Sequence, residues 1–354
     1  MKVTMIGIDL AKNVFQVHGV DEHGKVVLRK QIRRNQMMVF FAQCTRCLVG
    51  MEACGGAHEW ARRLTVLGFT VKLMAPQFVK PYVKTNKNDA ADAEAICEAV
   101  SRPNMRFVPV KTPDQQAILA LHRARQGFVR ERTAQGNQIR GLLAEYGVTI
   151  PQGLRNIHKC LPEILENGEN VLPGLFRHLL WQLGEHLKTL ENMVEEMDQK
   201  IRQWHRTNEA SQRLTEIAGV GPITATAMVA SVGDARNFSS GRQLAAWLGL
   251  VPRQHSTGGK SLLLGISKRG DCYLRTLLIH GARSVIRCVG HKRKADQVSE
   301  AATPPTRFRD WLQSIVLRRG SNVAAVALAN KNARVIWALL AHERHYEPSQ
   351  LLVA

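Results

Sequence analysis

The chain has 354 residues, room for two or three domains with sizeable cores, and its 49 lysines and arginines against 29 aspartates and glutamates leave a formal charge of +20. An excess of that size goes beyond what solubility needs and favours a polyanionic partner. No run of eighteen apolar residues occurs, the opening MKVTMIGIDL lacks a signal-peptide layout, and the seven cysteines are scattered; membrane-spanning and disulfide-stapled classes are therefore set aside for a soluble, cytoplasmic protein with reduced thiols and no membrane partner.

The charge is unevenly spread. Residues 1–110 carry 16 basic and 9 acidic side chains, residues 111–205 carry 12 and 11, and residues 206–354 carry 21 and 9. The last third is the expected nucleic-acid surface. At the other end, Val3 to Ile8 reads as a buried strand that delivers Asp9 at its end, with Gly7 leaving room for a close approach. Val14 to Val20 alternates as a half-buried strand, and the turn Asp21-Glu22-His23-Gly24 leads into Val26-Val27-Leu28. A strand ending in Asp and followed by a hairpin opens both ribonuclease-H-like nucleases and the sugar-kinase/actin fold; the chain has no Gly-rich phosphate loops of the latter kind.

A short helix is predicted over Met37 to Gln43, then a strand from Cys47 to Met51 that ends in a second carboxylate, Glu52. Cys44, Cys47, Cys54 and His58 could hold zinc, but the spacing is weak and Cys47 starts a core strand. His58 to Leu67 reads as a helix and Phe69 to Met74 as another strand. Asn88 is placed to cap a helix whose first turns carry Asp89 and Asp92 on one face. Acidic residues there are ordinary partners of the helix dipole. Taken with Asp9 and Glu52, they make a set of hard oxygen donors suited to Mg²⁺ or Mn²⁺.

From Pro113 to about Glu145 the pattern is helical, with Arg123, Arg125, Arg130, Arg132 and Arg140 along it as a solvated face or as phosphate contacts. Gly147 to Pro173, rich in Pro, Gly and Asn, reads as an irregular connection. Leu180, Leu183, Leu187, Leu190, Val194, Met197, Ile201 and Trp204 then recur every three or four residues, a coiled-coil seam that joins subunits or closes a helical hairpin within one chain. Leu214 to Ala225 holds Gly219-Val220-Gly221-Pro222, either a helix-hairpin-helix whose glycines offer backbone N–H groups to a phosphate or a plain tight turn.

Further on stand Gly249-Leu250-Val251-Pro252, Ser256-Thr257-Gly258-Gly259-Lys260 and Ser267-Lys268-Arg269-Gly270. In order with Ile8-Asp9, Met51-Glu52 and Asp89-x-x-Asp92, these closely resemble the DEDD class of insertion-sequence transposases, which includes Piv-type invertases and bridge-RNA-guided recombinases. The resemblance spans Asp9 to about Leu340. It implies a RuvC-like, ribonuclease-H-like α/β domain (residues 1–112) holding Mg²⁺ or Mn²⁺ on Asp9, Glu52, Asp89 and Asp92. A helical and coiled-coil region (113–205) and a mainly α-helical transposase domain with the helix-hairpin-helix (206–354) would follow. The resemblance further implies a serine nucleophile, with Ser256 at the matching position. Because the chain reads Ser-Thr-Gly where the family has Ser-Gly, Ser267 is the alternative register. Gly219, Gly221, Arg253, Lys260, Lys268, Arg269 and Arg275 are the expected nucleic-acid contacts, with Arg123 and Arg130 facing a guide RNA. The implied partners are DNA (element ends and target), a non-coding guide RNA and further copies of the chain, as dimers or a tetramer of paired dimers. Two rival readings are a metal-dependent junction-resolving nuclease acting by hydrolysis and a non-enzymatic nucleic-acid-binding protein.

Overall fold

The computed structural model describes residues 2–84, 88–291 and 306–347, which fall into two compact units, 1–114 and 115–354. The first unit is built on β1 (Met5–Leu10), β2 (Val14–Val20), β3 (Val26–Arg33), α1 (Met37–Gln43), β4 (Leu48–Glu52), α2 (Ala57–Val66), β5 (Thr70–Met74), the short α3 (Pro76–Val79), α4 (Asp89–Val100) and β6 (Phe107–Val108). Its mixed sheet runs in the order β3-β2-β1-β4-β5-β6. The β1–β2–β3 meander is antiparallel, whereas β1, β4 and β5 are mutually parallel, an arrangement consistent with the ribonuclease-H-like expectation.

Alternation along β1 decides what covers each face. Ile6 and Ile8 are fully buried in a core with Phe15, Trp60, Ala61 and Leu64, so α2 lies on that side. Gly7 points to the other side, opposite Gly50 in the parallel register, and together the two glycines form a slot for α4. A Cβ on Gly7 would stand 2.3 Å from the Ala93 carbonyl oxygen and 2.4 Å from the Cys97 nitrogen; one on Gly50 would stand 2.8 Å from Cβ of Val100. Helix backbone therefore sits directly on strand backbone. α4 runs antiparallel to β1, which brings its N-terminal turn to the strand end that carries Asp9.

The second unit comprises α5 (Pro113–Ala144), α6 (Leu154–Glu166), α7 (Gly174–Thr207), α8 (Glu209–Leu214), α9 (Pro222–Val232), α10 (Gly241–Trp247), the hairpin β7 (Pro252–Thr257) and β8 (Lys260–Ile266), α11 (Cys272–His291), α12 (Thr306–Arg319) and α13 (Ser321–His342). α6 replaces part of the irregular connection expected over 147–173. Its apolar residues Leu154, Ile157, Leu161 and Leu165 follow a helical period, which the flanking Pro, Gly and Asn obscure. The seam of α7 is largely covered within the chain: Leu180 and Leu187 join Ile139, Leu143, Ile157 and Leu161 in one core, and Ile201 joins Ile118 and Ala230 in another. Arg125 meets Asp198 and, further along, Gln135 meets His186 at 3.1 Å, so α5 and α7 run antiparallel. α13 has the length and apolarity to span a membrane; half of its most apolar stretch is buried, and it packs on α10, α11 and α12 in the core of this unit.

A polar chain threads the same core. Thr226 Oγ1 donates to the Pro222 carbonyl at 2.8 Å, so it accepts from His122 Nε2 at 3.0 Å. That leaves His122 Nδ1 to accept from the Tyr273 hydroxyl at 2.9 Å, and the hydroxyl in turn accepts from Arg125, which is paired with Asp198. Burial, seconded by the Arg125 charge, lowers the His122 pKa to about 4. The imidazole is neutral and oriented, tying α5 to α7, α9 and α11.

Candidate active site

Three carboxylates meet at the end of the glycine slot. One oxygen each from Asp9, Asp89 and Asp92 lies within 4.8 Å of the others, Asp9 and Asp92 half-buried and Asp89 exposed. The slot explains the convergence. From the level of Gly7, Asp9 is two residues, or about 7 Å, along the strand. From Ala93, which touches Gly7, Asp89 is four residues, or about 6 Å, along the helix. The helix start is held by Asn88, whose side chain accepts from the Ala91 N–H at 2.8 Å.

Glu52 is outside this grouping, although it was expected in it. It follows Met51, the partner of Ile8, and so ends the neighbouring strand beside Asp9. Both charges act on Cys54, whose thiol is raised first by burial and then by Glu52 and Asp9. The site is thus a negative corner. Opposite donors around one hard divalent ion stand about 4–5 Å apart, so the three aspartates fit such an ion, with Glu52 at its edge. Cys44, Cys47, Cys54 and His58 form no comparable group among the described residues. Burial pushes Cys47 up to about 11, Cys44 donates to the Phe40 carbonyl, and His58 Nδ1 accepts from the Lys111 N–H.

In the second unit, Ser256 is exposed on β7, opposite Ser261 of β8. Gln254, two residues back and on the same strand face, donates its amide to Ser256 Oγ at 2.8 Å. His255 faces the other way. The base of the hairpin is pinned by backbone crossings: Ser267 N–H donates to the Val251 carbonyl at 2.8 Å and Lys268 N–H to the Gly249 carbonyl at 3.2 Å. Gly249 and Gly270 both have positive φ, and a Cβ on Gly270 would stand 1.9 Å from the Trp247 carbonyl oxygen, so nothing larger than glycine fits. Ser267 itself is half-buried, its hydroxyl accepting from the Arg269 N–H at 3.4 Å.

Arg253, Lys260, Lys268 and Arg269 are exposed on or beside the hairpin. Arg275 differs from expectation. It is only 8 % exposed, and its guanidinium donates to the Leu248 and Arg269 carbonyls at 3.0 and 3.1 Å, bracing the hairpin base instead of facing solvent. Arg123 and Arg130, seven residues apart on α5, are exposed on one helix face, whereas Arg125 between them is bound to Asp198. In the Gly219–Pro222 turn, Gly219 packs on Gly281 so tightly that its own Cβ would stand 2.8 Å from the Gly281 carbonyl oxygen. That glycine has a packing reason. Gly221 is exposed at the N-terminus of α9, and an added Cβ there would meet nothing within 4 Å. The His122–Tyr273 link escaped the sequence reading, since the partners are far apart in the chain and carry no local signal.

Comparison with known proteins adds what geometry cannot. A family model described as the transposase IS116/IS110/IS902 family matches residues 211–297, and a transposase model of the DEDD IS110 type matches residues 6–148. A probable family 20 transposase of Pseudomonas aeruginosa is 54 % identical over 349 residues, covering 98 % of this chain and all of that protein. The transposase for insertion sequence element IS1111A of Coxiella burnetii is 46 % identical, covering 97 % of this chain and 91 % of its own. That for IS1328 of Yersinia enterocolitica is also 46 % identical, over 95 % of this chain and 96 % of its own.

Proposed function

The chain belongs to the IS116/IS110/IS902 family of insertion-sequence transposases, and from that premise we propose that it cuts and rejoins DNA through a covalent serine link, supported by a divalent metal on its carboxylate corner. The observation that carries the metal part of this reading is the convergence of Asp9, Asp89 and Asp92 in the family's DEDD region. A Mg²⁺ or Mn²⁺ ion held by these three, with Glu52 beside them, would neutralise charge on the phosphodiester and polarise its P–O bond.

The chain's own groups supply the rest. Ser256 Oγ attacks phosphorus; its O–P bond forms as the bond to the leaving sugar oxygen breaks, and the serine proton departs to a base or to the leaving oxygen. Because Gln254 donates to Oγ, the hydroxyl hydrogen is left free to point elsewhere. The phosphoserine link keeps the energy of the cut bond, so strands can be exchanged and resealed without ATP. Arg253, Lys260, Lys268 and Arg269 would hold DNA phosphates around the hairpin, and Gly221 at the start of α9 would offer backbone N–H groups to another. A guide RNA would lie along the Arg123–Arg130 face, read by shape and backbone. Assembly into dimers or a tetramer belongs to the same reading, through surfaces other than the buried side of the α7 seam.

The test is strand cleavage of cognate element ends. Cleavage should require Mg²⁺ or Mn²⁺, stop on chelation, and be lost in Asp9→Asn and Asp92→Asn while DNA affinity persists. Wild-type cleavage by either variant would overturn the metal role. Cleavage without any protein–DNA adduct would favour the hydrolytic, junction-resolving nuclease.

A further inference from the structure

A cavity of about 630 Å³ in the first unit opens on the α2 side of the sheet, beside the β1–β2 turn that follows Asp9. Asn13, Arg33, Arg34, Asn35, Trp60 and Arg63 line it. We propose that this cavity is a cradle for the phosphodiester backbone of a single-stranded nucleic-acid segment one or two nucleotides long.

Charge is the first argument. Arg33, Arg34 and Arg63 are exposed, and none forms an ion pair with a carboxylate among the described residues. Glu59, the acidic residue on the wall, is held by Arg62 at 2.8 Å and offers the three guanidiniums little relief. Three like charges kept around one hollow repel each other, and an anion bound between them removes that cost. Guanidinium forks suit phosphate oxygens in particular.

Order is the second argument. Arg34 and Arg63 lie 5.4 and 4.9 Å from the centre of the Trp60 ring, and Arg34 also donates to the Lys12 carbonyl at 3.3 Å. Trp60 is itself 3 % exposed and packs edge-on to Phe15 at 5.2 Å, so the brace is rigid. Side chains held in advance lose less freedom on binding, and a guanidinium leaning on one ring keeps its other face for a base. Asn13 and Asn35 add amides that can meet sugar or base edges.

Position is the third argument. The turn through Lys12 and Asn13 follows directly on β1, whose end carries Asp9. A strand anchored here and passing over that turn reaches the carboxylates within a few nucleotides. The cradle would fix the register of the strand whose phosphate the carboxylates receive. Only the identity of the polyanion rests on the transposase reading; the anion site stands on its own geometry.

The experiment uses the full chain with Asp9→Asn, in chelator, so that neither cleavage nor metal binding enters. Fluorescence anisotropy with a 12-nucleotide fluorescent oligomer, as DNA and as RNA, is followed against KCl concentration. Losing two phosphate contacts should flatten the slope of log K against log salt by about 1.4 units for single strands. Arg34→Ala/Arg63→Ala should show that loss on at least one of the two oligomers, with affinity at least tenfold weaker at 0.1 M salt. The equal-charge control Lys2→Ala/Lys25→Ala, at the far end of the sheet, should not. Arg33→Ala removes an exposed side chain, cannot unsettle the core, and should flatten the slope by about 0.7. If the arginine variants match the lysine control on both oligomers, the cavity is no phosphodiester cradle.

Discussion

Replacing Gly7 with alanine should separate the carboxylates without touching any of them. On an extended strand Gly→Ala normally stabilises by about 0.4–1 kcal/mol, because the unfolded chain loses freedom. Here the added carbon would sit 2.3 Å from the Ala93 oxygen, 2.4 Å from the Cys97 nitrogen and 2.7 Å from Cys97 Cβ. Two of these are backbone atoms of α4, so no rotamer change relieves them. Restoring ordinary contact at about 3.4 Å requires the helix to withdraw by about 1 Å, and overpacking of this kind costs about 1–3 kcal/mol. The clash outweighs the entropic gain. Because Asp89 and Asp92 ride on α4 and Asp9 on β1, the same withdrawal opens the donor set. Urea denaturation of Gly7→Ala should show a net loss of about 1–2 kcal/mol. Calorimetric titration should show Mn²⁺ affinity at least tenfold weaker. Gly55→Ala, whose added carbon meets nothing within 4 Å, should leave Mn²⁺ affinity unchanged and stability equal or slightly higher. A Gly7→Ala variant that is as stable and binds Mn²⁺ as tightly as wild type would refute the slot as what positions the carboxylates.

Two further outcomes concern the second unit. His122 has a folded pKa lowered to about 4 from 6.5, so the unfolded chain takes up its proton first; stability is present above 6.5 and is lost as pH falls towards 4. The loss amounts to about 3 kcal/mol, and a urea series at pH 7, 6, 5 and 4 should show His122→Gln with a correspondingly flatter dependence than wild type; equal dependence in both would exclude the neutral buried imidazole. Leu187, fully buried against Ile139, Leu143 and their neighbours, should cost well over 3 kcal/mol as Leu187→Asp, since a carboxylate would be left unpaired in the core. Light scattering and circular dichroism together check this: a variant that dissociates yet keeps wild-type stability would place the seam between subunits.

How much of this was legible depended on whether burial follows a period. Met37–Gln43 and Val14–Val20 are found where their patterns place them: α1 buries Met37 and Phe41 on one face, and β2 buries Phe15 and Val17 on one face, although His18 on the other is buried too. The Asn88 cap likewise follows from local chemistry. The hairpin β7–β8 was not legible. All but Ile266 of its residues are exposed, including Leu262 and Leu263, so no alternation marks it. The seam of α7 was legible as a seam, but periodicity cannot say what covers it, and α5 and α6 do so largely within the chain. Arg275 reads in sequence like its basic neighbours, and only the crossing of the Gly249 and Gly270 segments turns it inward. Gly7 was legible as a close approach, whereas its register partner Gly50, which completes the slot, carries no sign of that role until the strands are paired.

The central claim is that Ser256 makes a covalent bond to DNA in support of strand exchange. The most direct measurement incubates wild type, Ser256→Ala and Ser267→Ala with labelled element ends and Mg²⁺, then runs a denaturing gel and maps the modified peptide by mass spectrometry. A phosphoserine adduct should form at Ser256 in wild type and in Ser267→Ala, and neither adduct nor cleavage should be seen in Ser256→Ala, with DNA affinity nearly unchanged because one hydroxyl adds little beside many phosphate contacts. Normal cleavage by Ser256→Ala, with the adduct moved to Ser267 or absent altogether, would contradict the claim.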